Sequence, residues 1–122
     1  MCIRDSNKTP EFGKLMHSAA EALHYPTADI GVYLQPVHQG IGCHYEFYLP
    51  YDPNNEKEAA SVRKLLTGAS EKMAKQGAFF SRPYGIWADM AYRRDKQATL
   101  LLKKLKGIFD PNNVMNPQKL CF

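Results

Sequence analysis

A change of period near residue 30 limits what this chain can fold into more than any other feature. Before it, apolar residues recur at helical spacing; after it, they alternate. Ile30, Val32 and Leu34 fall on one face of a strand, and Tyr33 and Gln35 on the other. A second alternating run sets Cys43, Tyr45, Phe47 and Leu49 against His44, Glu46 and Tyr48. The stretch His38-Gln39-Gly40-Ile41-Gly42 supplies turn glycines between them, so the two runs predict a hairpin. Its apolar face suits burial under helices. Its other face mixes aromatics, an amide and a His/Glu pair, which fits a solvated surface and a pocket wall equally well.

Helical segments flank the hairpin. Thr9-Pro10-Glu11 reads as a helix start with a hydroxyl cap, and Phe12, Leu15, Met16, Ala19, Ala20 and Leu23 form its stripe as far as Tyr25. Asp52 or Asn54 offers a cap for a second helix bearing Ala59, Val62, Leu65, Leu66, Ala69 and Met73, closed by Gly77. Ala78-Phe79-Phe80 predicts a short strand, and residues 81–92 an aromatic-rich loop. Asp95 caps a last helix with the stripe Ala98, Leu101, Leu102, Leu105 and Ile108, which Asp110-Pro111 stops.

The order α-β-β-α-β-α predicts an α+β fold: an incomplete ferredoxin-like αββαβ unit plus a C-terminal helix and tail. The first strand of the complete motif lies between the third and fourth, so its absence would leave ladder groups unpaired beside a gap. Met1-Cys2-Ile3-Arg4-Asp5-Ser6 resembles a translated adapter sequence at the head of a truncated reading frame. Residues 1–6 are therefore set outside the fold, and residues 7–122 are expected to form one domain of a longer protein.

Composition narrows the function classes. A net charge of +4 arises from sixteen Lys and Arg against twelve Asp and Glu, and Lys103, Lys104 and Lys106 share one helix. That is too sparse for a nucleic-acid interface and reads as a solvated helix face. Three cysteines without CxxC spacing suggest neither a disulfide framework nor a zinc ribbon, and point to a reducing, cytoplasmic compartment. No apolar run reaches the ~20 residues of a membrane span.

The tail Lys106-Gly107-Ile108-Phe109-Asp110-Pro111-Asn112-Asn113-Val114-Met115-Asn116-Pro117-Gln118-Lys119 is the most specific motif. It resembles the closing pattern K-x-x-x-D-P-x-x-x-x-N-P-G-K of FAD-linked oxidases of the vanillyl-alcohol oxidase and p-cresol methylhydroxylase type, with Gln118 in place of the glycine. The resemblance covers nearly all of residues 10–122. It implies the C-terminal substrate, or cap, domain of a flavoenzyme that oxidises a phenolic or hydroxylated small molecule by hydride transfer. It also implies FAD as cofactor, Asn116 and Lys119 on the flavin side, and a separate N-terminal FAD-binding domain as partner. No Gly-rich phosphate loop occurs in the chain itself.

Two branches of that family differ in chemistry. The hydroxy-acid dehydrogenases carry an H-A-G-D-G-N-x-H segment, which His38 to His44 resembles with one residue fewer, and a later x-E-H-G metal motif. Here Pro83 and Tyr84 stand in the acid and histidine places, so no metal is expected. Tyr84 with Arg82 looks more like the phenol-oxidising branch, where such side chains bind substrate oxygen as an anion. The expected catalytic residues are therefore Tyr84, Arg82 and His44. His38, Glu46, Tyr33 and Gln35 are expected to bind substrate. The alternatives are a metal-assisted D-2-hydroxy-acid dehydrogenase of the D-lactate or glycolate type, and a non-enzymatic ferredoxin-like binding module; a homo-oligomer is compatible with any of these.

Overall fold

The computed structural model describes residues 1–3, 6–38, 42–82 and 84–117. They form two compact units, Met1–Phe79 and Phe80–Phe122. The class is α+β, as the change of period requires.

The first unit is a three-stranded antiparallel sheet with two helices. Its elements are β1 (Cys2–Ile3), α1 (Thr9–Ala22), β2 (Gly31–His38), β3 (Gly42–Tyr48) and α2 (Glu56–Lys75). The strand order is β1-β3-β2. Cys2 pairs with His44 and Ile3 with Cys43. Met1 extends the ladder: its ammonium donates to the Tyr45 carbonyl, and the Tyr45 N–H donates back to Met1. The place beside β3 that a ferredoxin-like first strand would fill is thus taken by Cys2–Ile3, residues that the sequence reading left out of the fold.

The hairpin register puts Val32 opposite Phe47, Leu34 opposite Tyr45 and Pro36 opposite Cys43, with a register shift between Pro36 and His38. Cys43 and Tyr45 are buried in a core with Phe12, Met16, Ala19 and Ala20 of α1 and Val62, Leu65, Ala69 and Met73 of α2. Phe12 and Leu65 are the largest fully buried side chains, each contributing about 1.5–3 kcal/mol by leaving water. Gly13 lets α1 approach the sheet closely, since a Cβ there would stand 3.3 Å from the Tyr45 hydroxyl. Tyr25 is also buried, and its hydroxyl donates to the Pro50 carbonyl at 2.7 Å.

Several local expectations change. The N-cap of α1 is Lys8, without a side-chain bond, because a 3-10 turn at Ser6–Lys8 runs straight into the helix. Thr9 is drawn inside the helix, and its hydroxyl lies 3.7 Å from the Cys43 sulfur. For α2 the cap is Asn55, which accepts from Lys57 and Glu58 N–H, while Glu58 accepts from the Asn55 amide. Asp52 is occupied instead by a turn, accepting the Asn54 N–H at 2.9 Å. Gly77 does follow the end of α2, with φ 97°. The expected strand at 78–80 reduces to a single bridge residue, Phe79.

The second unit holds α3 (Ile86–Tyr92) and α4 (Lys96–Phe109). The expected loop over 81–92 thus contains a short helix, opened where the Tyr84 carbonyl accepts from Trp87 N–H and Gly85 from Ala88. Trp87 stacks on buried Phe80, with ring centres 5.4 Å apart. Asp95 caps α4 through the Ala98 N–H, as expected. Among the described residues, no helix is long and apolar enough to cross a membrane.

Candidate active site

Alternation along β2 and β3 does more than bury one face; it gathers the polar residues on the other. Tyr33 sits opposite Glu46, Gln35 opposite His44, and Gly31 opposite Tyr48. Directly opposed residues on one face lie within reach of each other's side chains. Tyr33, Gln35, His44, Glu46 and Tyr48 therefore share one surface. Cys2 of β1 pairs with His44 from the opposite side, so β3 is held along both edges at that point.

A hydrogen-bonded row runs along β3 on this surface. His44 Nε2 lies 2.6 Å from Glu46 Oε1, and the Tyr48 hydroxyl donates to Glu46 Oε2 at 3.0 Å. Both carboxylate oxygens are engaged. The bond with His44, and then that from Tyr48, holds the Glu46 carboxyl below the usual carboxylate range. The same bond to Glu46 pushes the Tyr48 phenol up, so Tyr48 stays a donor to higher pH than a free tyrosine. An ionised carboxylate only accepts, so a neutral His44 carries its proton on Nε2 and keeps Nδ1 as its basic nitrogen. The His44 side chain is 19% exposed, sheltered yet open to solvent on one side.

Arg82 and Tyr84 belong to the second unit. The Tyr84 N–H donates to the Arg82 carbonyl at 3.0 Å, and both side chains are exposed, Tyr84 by 62%. The intervening Pro83 lies outside the described residues, as do Gln39–Ile41, Lys119 and the side chain of His38. Asn116 is described: it is exposed and has φ 49°. His17 and His24 are exposed, as their helix positions suggested. Among the described residues, no three His, Cys, Asp or Glu side chains form a metal-binding group. A shallow cleft in the second unit is lined by Tyr92, Arg93, Lys96, Thr99 and Lys103, with Asp89 in an ion pair to Arg93 at 3.7 Å.

The sequence reading took Asp110 for a helix stop, whereas the structure makes it the centre of a clasp. Asp110 is buried. Its carboxylate pairs with Lys106 one turn earlier and accepts the N–H groups of Val114 at 2.8 Å and Met115 at 2.9 Å. Lys106 also donates to the Met115 carbonyl at 2.6 Å. The Lys106 bond first, and then the two backbone bonds, hold the Asp110 carboxyl low. The signal was present in the i, i+4 spacing of Lys106 and Asp110, which brings the two to one side of a helix.

The described residues fit the substrate side of a flavin site rather than the dinucleotide itself. The first N–H groups of α2 and α4 are consumed by the Asn55 and Asp95 side chains, so neither helix start is left to cradle a pyrophosphate.

Comparison with known families supplies the assignment. The model of the FAD linked oxidases, C-terminal domain, matches residues 32–120, from β2 through the tail. No curated protein and no solved structure matches the chain. The matched span contains the hairpin, the Arg82–Tyr84 segment and the Asp110 clasp, and the chain belongs to the family of FAD-linked oxidase C-terminal domains.

Proposed function

We propose that this domain supplies the substrate-side residues of a flavoenzyme that oxidises a phenolic or hydroxylated small molecule, and that His44 accepts the substrate's hydroxyl proton. The observation that carries the reading is the 2.6 Å contact between His44 and Glu46 on the polar hairpin face, within a chain of the FAD-linked oxidase family. Flavin, when bound, supplies a two-electron acceptor for the hydride leaving the substrate carbon. The protein's share is the proton. As the C–H bond breaks and a C=O bond forms, the hydroxyl proton passes to His44 Nδ1, and the ionised Glu46 stabilises the imidazolium that results. Tyr48 keeps Glu46 oriented from its other oxygen. Gln35, across the ladder from His44, and Tyr33, across from Glu46, offer hydrogen bonds that orient the substrate.

Arg82 and Tyr84 are proposed, on the family resemblance, to stabilise a phenolic substrate's oxygen as an anion; a guanidinium and an O–H donor suit that charge. The metal-assisted hydroxy-acid dehydrogenase remains the second reading, favoured by one observation: a carboxylate, Glu46, lies beside the imidazole of His44.

The test is anaerobic flavin reduction by the complete enzyme with matched alcohol and phenol substrates. His44→Ala should slow reduction by about 10²–10⁴-fold, with flavin content unchanged. Reduction by His44→Ala at the parental rate on both substrates would remove His44 from the reaction.

A further inference from the structure

An amphipathic helix normally turns its apolar stripe toward a core. In α4 the opposite holds. No residue of α4 is buried. Leu101, Leu102, Leu105, Ile108 and Phe109 fall on one face at the 3.6-residue period, and are exposed by 59%, 42%, 40%, 70% and 78%. The contact with α3 uses the other side of the helix, where the Thr99 hydroxyl donates to the Tyr92 carbonyl at 2.7 Å. Monomeric domains rarely leave a contiguous patch of several large apolar side chains in water.

A second feature adjoins the helix end. The Asp110 clasp fixes the chain that follows α4, yet it leaves Val114 and Met115 exposed. A buried carboxylate, an ion pair and three further hydrogen bonds thus order a segment whose apolar side chains meet only solvent. Such order is expected of a preformed contact surface.

We propose that the apolar face of α4, with the clasped turn at Val114 and Met115, is the surface on which the flavin-binding domain of the enzyme seats. This rests on the family assignment and not on the roles given to His44 or Tyr84. An FAD-linked oxidase needs a dinucleotide site, and the described helix starts of this chain supply none, so another domain holds the flavin and must be kept in fixed geometry against this one. Lys96, Lys103 and Lys104 lie off the apolar face, and α4 contains four lysines and no acidic residue. That border complements a domain carrying an anionic dinucleotide. It opposes a two-fold contact between copies of α4, which would bring like charges together.

Single cysteines introduced into the complete holoenzyme test the surface by maleimide labelling, with each site resolved by peptide mass. Leu105→Cys and Ile108→Cys should label at least tenfold more slowly than Lys104→Cys, at every protein concentration and without lipid. Equal rates overturn the proposal. Protection that disappears on dilution identifies a second copy as the occupant, and protection that needs phosphatidylglycerol vesicles identifies a membrane surface; either outcome also overturns it. Labelling does not depend on turnover, so an error in the catalytic assignment leaves the result readable.

Discussion

His44 and Glu46 stand two residues apart on β3, with Nε2 and Oε1 2.6 Å from each other, and Glu46 is the only link between His44 and Tyr48 among the hydrogen bonds of this row. A strand places i and i+2 side chains on one face, so this arrangement follows from the backbone once the hairpin forms.

The row should be visible in the titration of Glu46. Because hydrogen bonds depress its folded-state pKa, its ionised form stabilises the fold above the ordinary glutamate value of ~4.3, and that contribution is lost as pH falls through the folded value. In a carbon-detected NMR titration, Tyr48→Phe should move the Glu46 carboxyl up toward the ordinary value, and His44→Ala should move it further. If neither variant shifts it, the row does not persist in solution.

Tyr84 and Arg82 make a separate case. If they bind an oxyanion that develops during reaction, Tyr84→Phe should lower the flavin-reduction rate by roughly 10²-fold or more while weakening substrate binding less. Phe keeps the ring, and Tyr84 is exposed, so folding and flavin content should be unaffected. Arg82→Lys should also slow the step, since a point charge cannot reproduce a planar fork. Parental stopped-flow rates in Tyr84→Phe would leave Tyr84 as the residue whose carbonyl opens α3.

Asp110→Asn should loosen the turn after α4 without unfolding either unit. The amide protons of Val114 and Met115 should lose hydrogen-exchange protection, whereas those of β3 should keep theirs. Acid should act in the same way. The folded pKa of Asp110 is depressed, so the clasp is complete above the ordinary aspartate range and opens as pH falls through the folded value. Unchanged protection of both amides in Asp110→Asn would mean that the turn is held by other contacts.

For the metal reading, chelation should leave activity in the complete enzyme intact. Stoichiometric zinc or manganese by elemental analysis, lost together with activity in His44→Ala, would instead establish the metal-assisted reaction.

Much of the hairpin was legible because period two has a single geometric meaning: once Cys43, Tyr45 and Phe47 face the core, His44, Glu46 and Tyr48 must share the other side. The stripes of α1 and α2 were legible for the same kind of reason. A strand as short as Cys2–Ile3 is too brief to show any period, and only its pairing with His44 and Cys43 defines it. The helix Ile86–Tyr92 escaped notice because seven residues give barely two turns, and its aromatics suggested a loop. Caps shifted by one or more residues, as at Lys8 and Asn55, where neighbouring turns competed for the same donors. The burial of Asp110 was not legible at all, since it depends on two backbone amides four and five residues downstream. Nor could the stripe of α4 reveal its own exposure; amphipathicity says which face seeks a partner, not where the partner lies.

Pro36 carries one more consequence. It sits in β2, the outermost strand of the sheet, beside the shift in register that ends at His38. A proline brings no N–H to a ladder, and an irregularity in pairing bends the strand away from a flat template. An incoming strand could therefore run flush along the outer edge of β2 only as far as Gln35. Beyond it, where exposed Val37 would otherwise invite further pairing, the open edge is closed to growth by cross-β stacking.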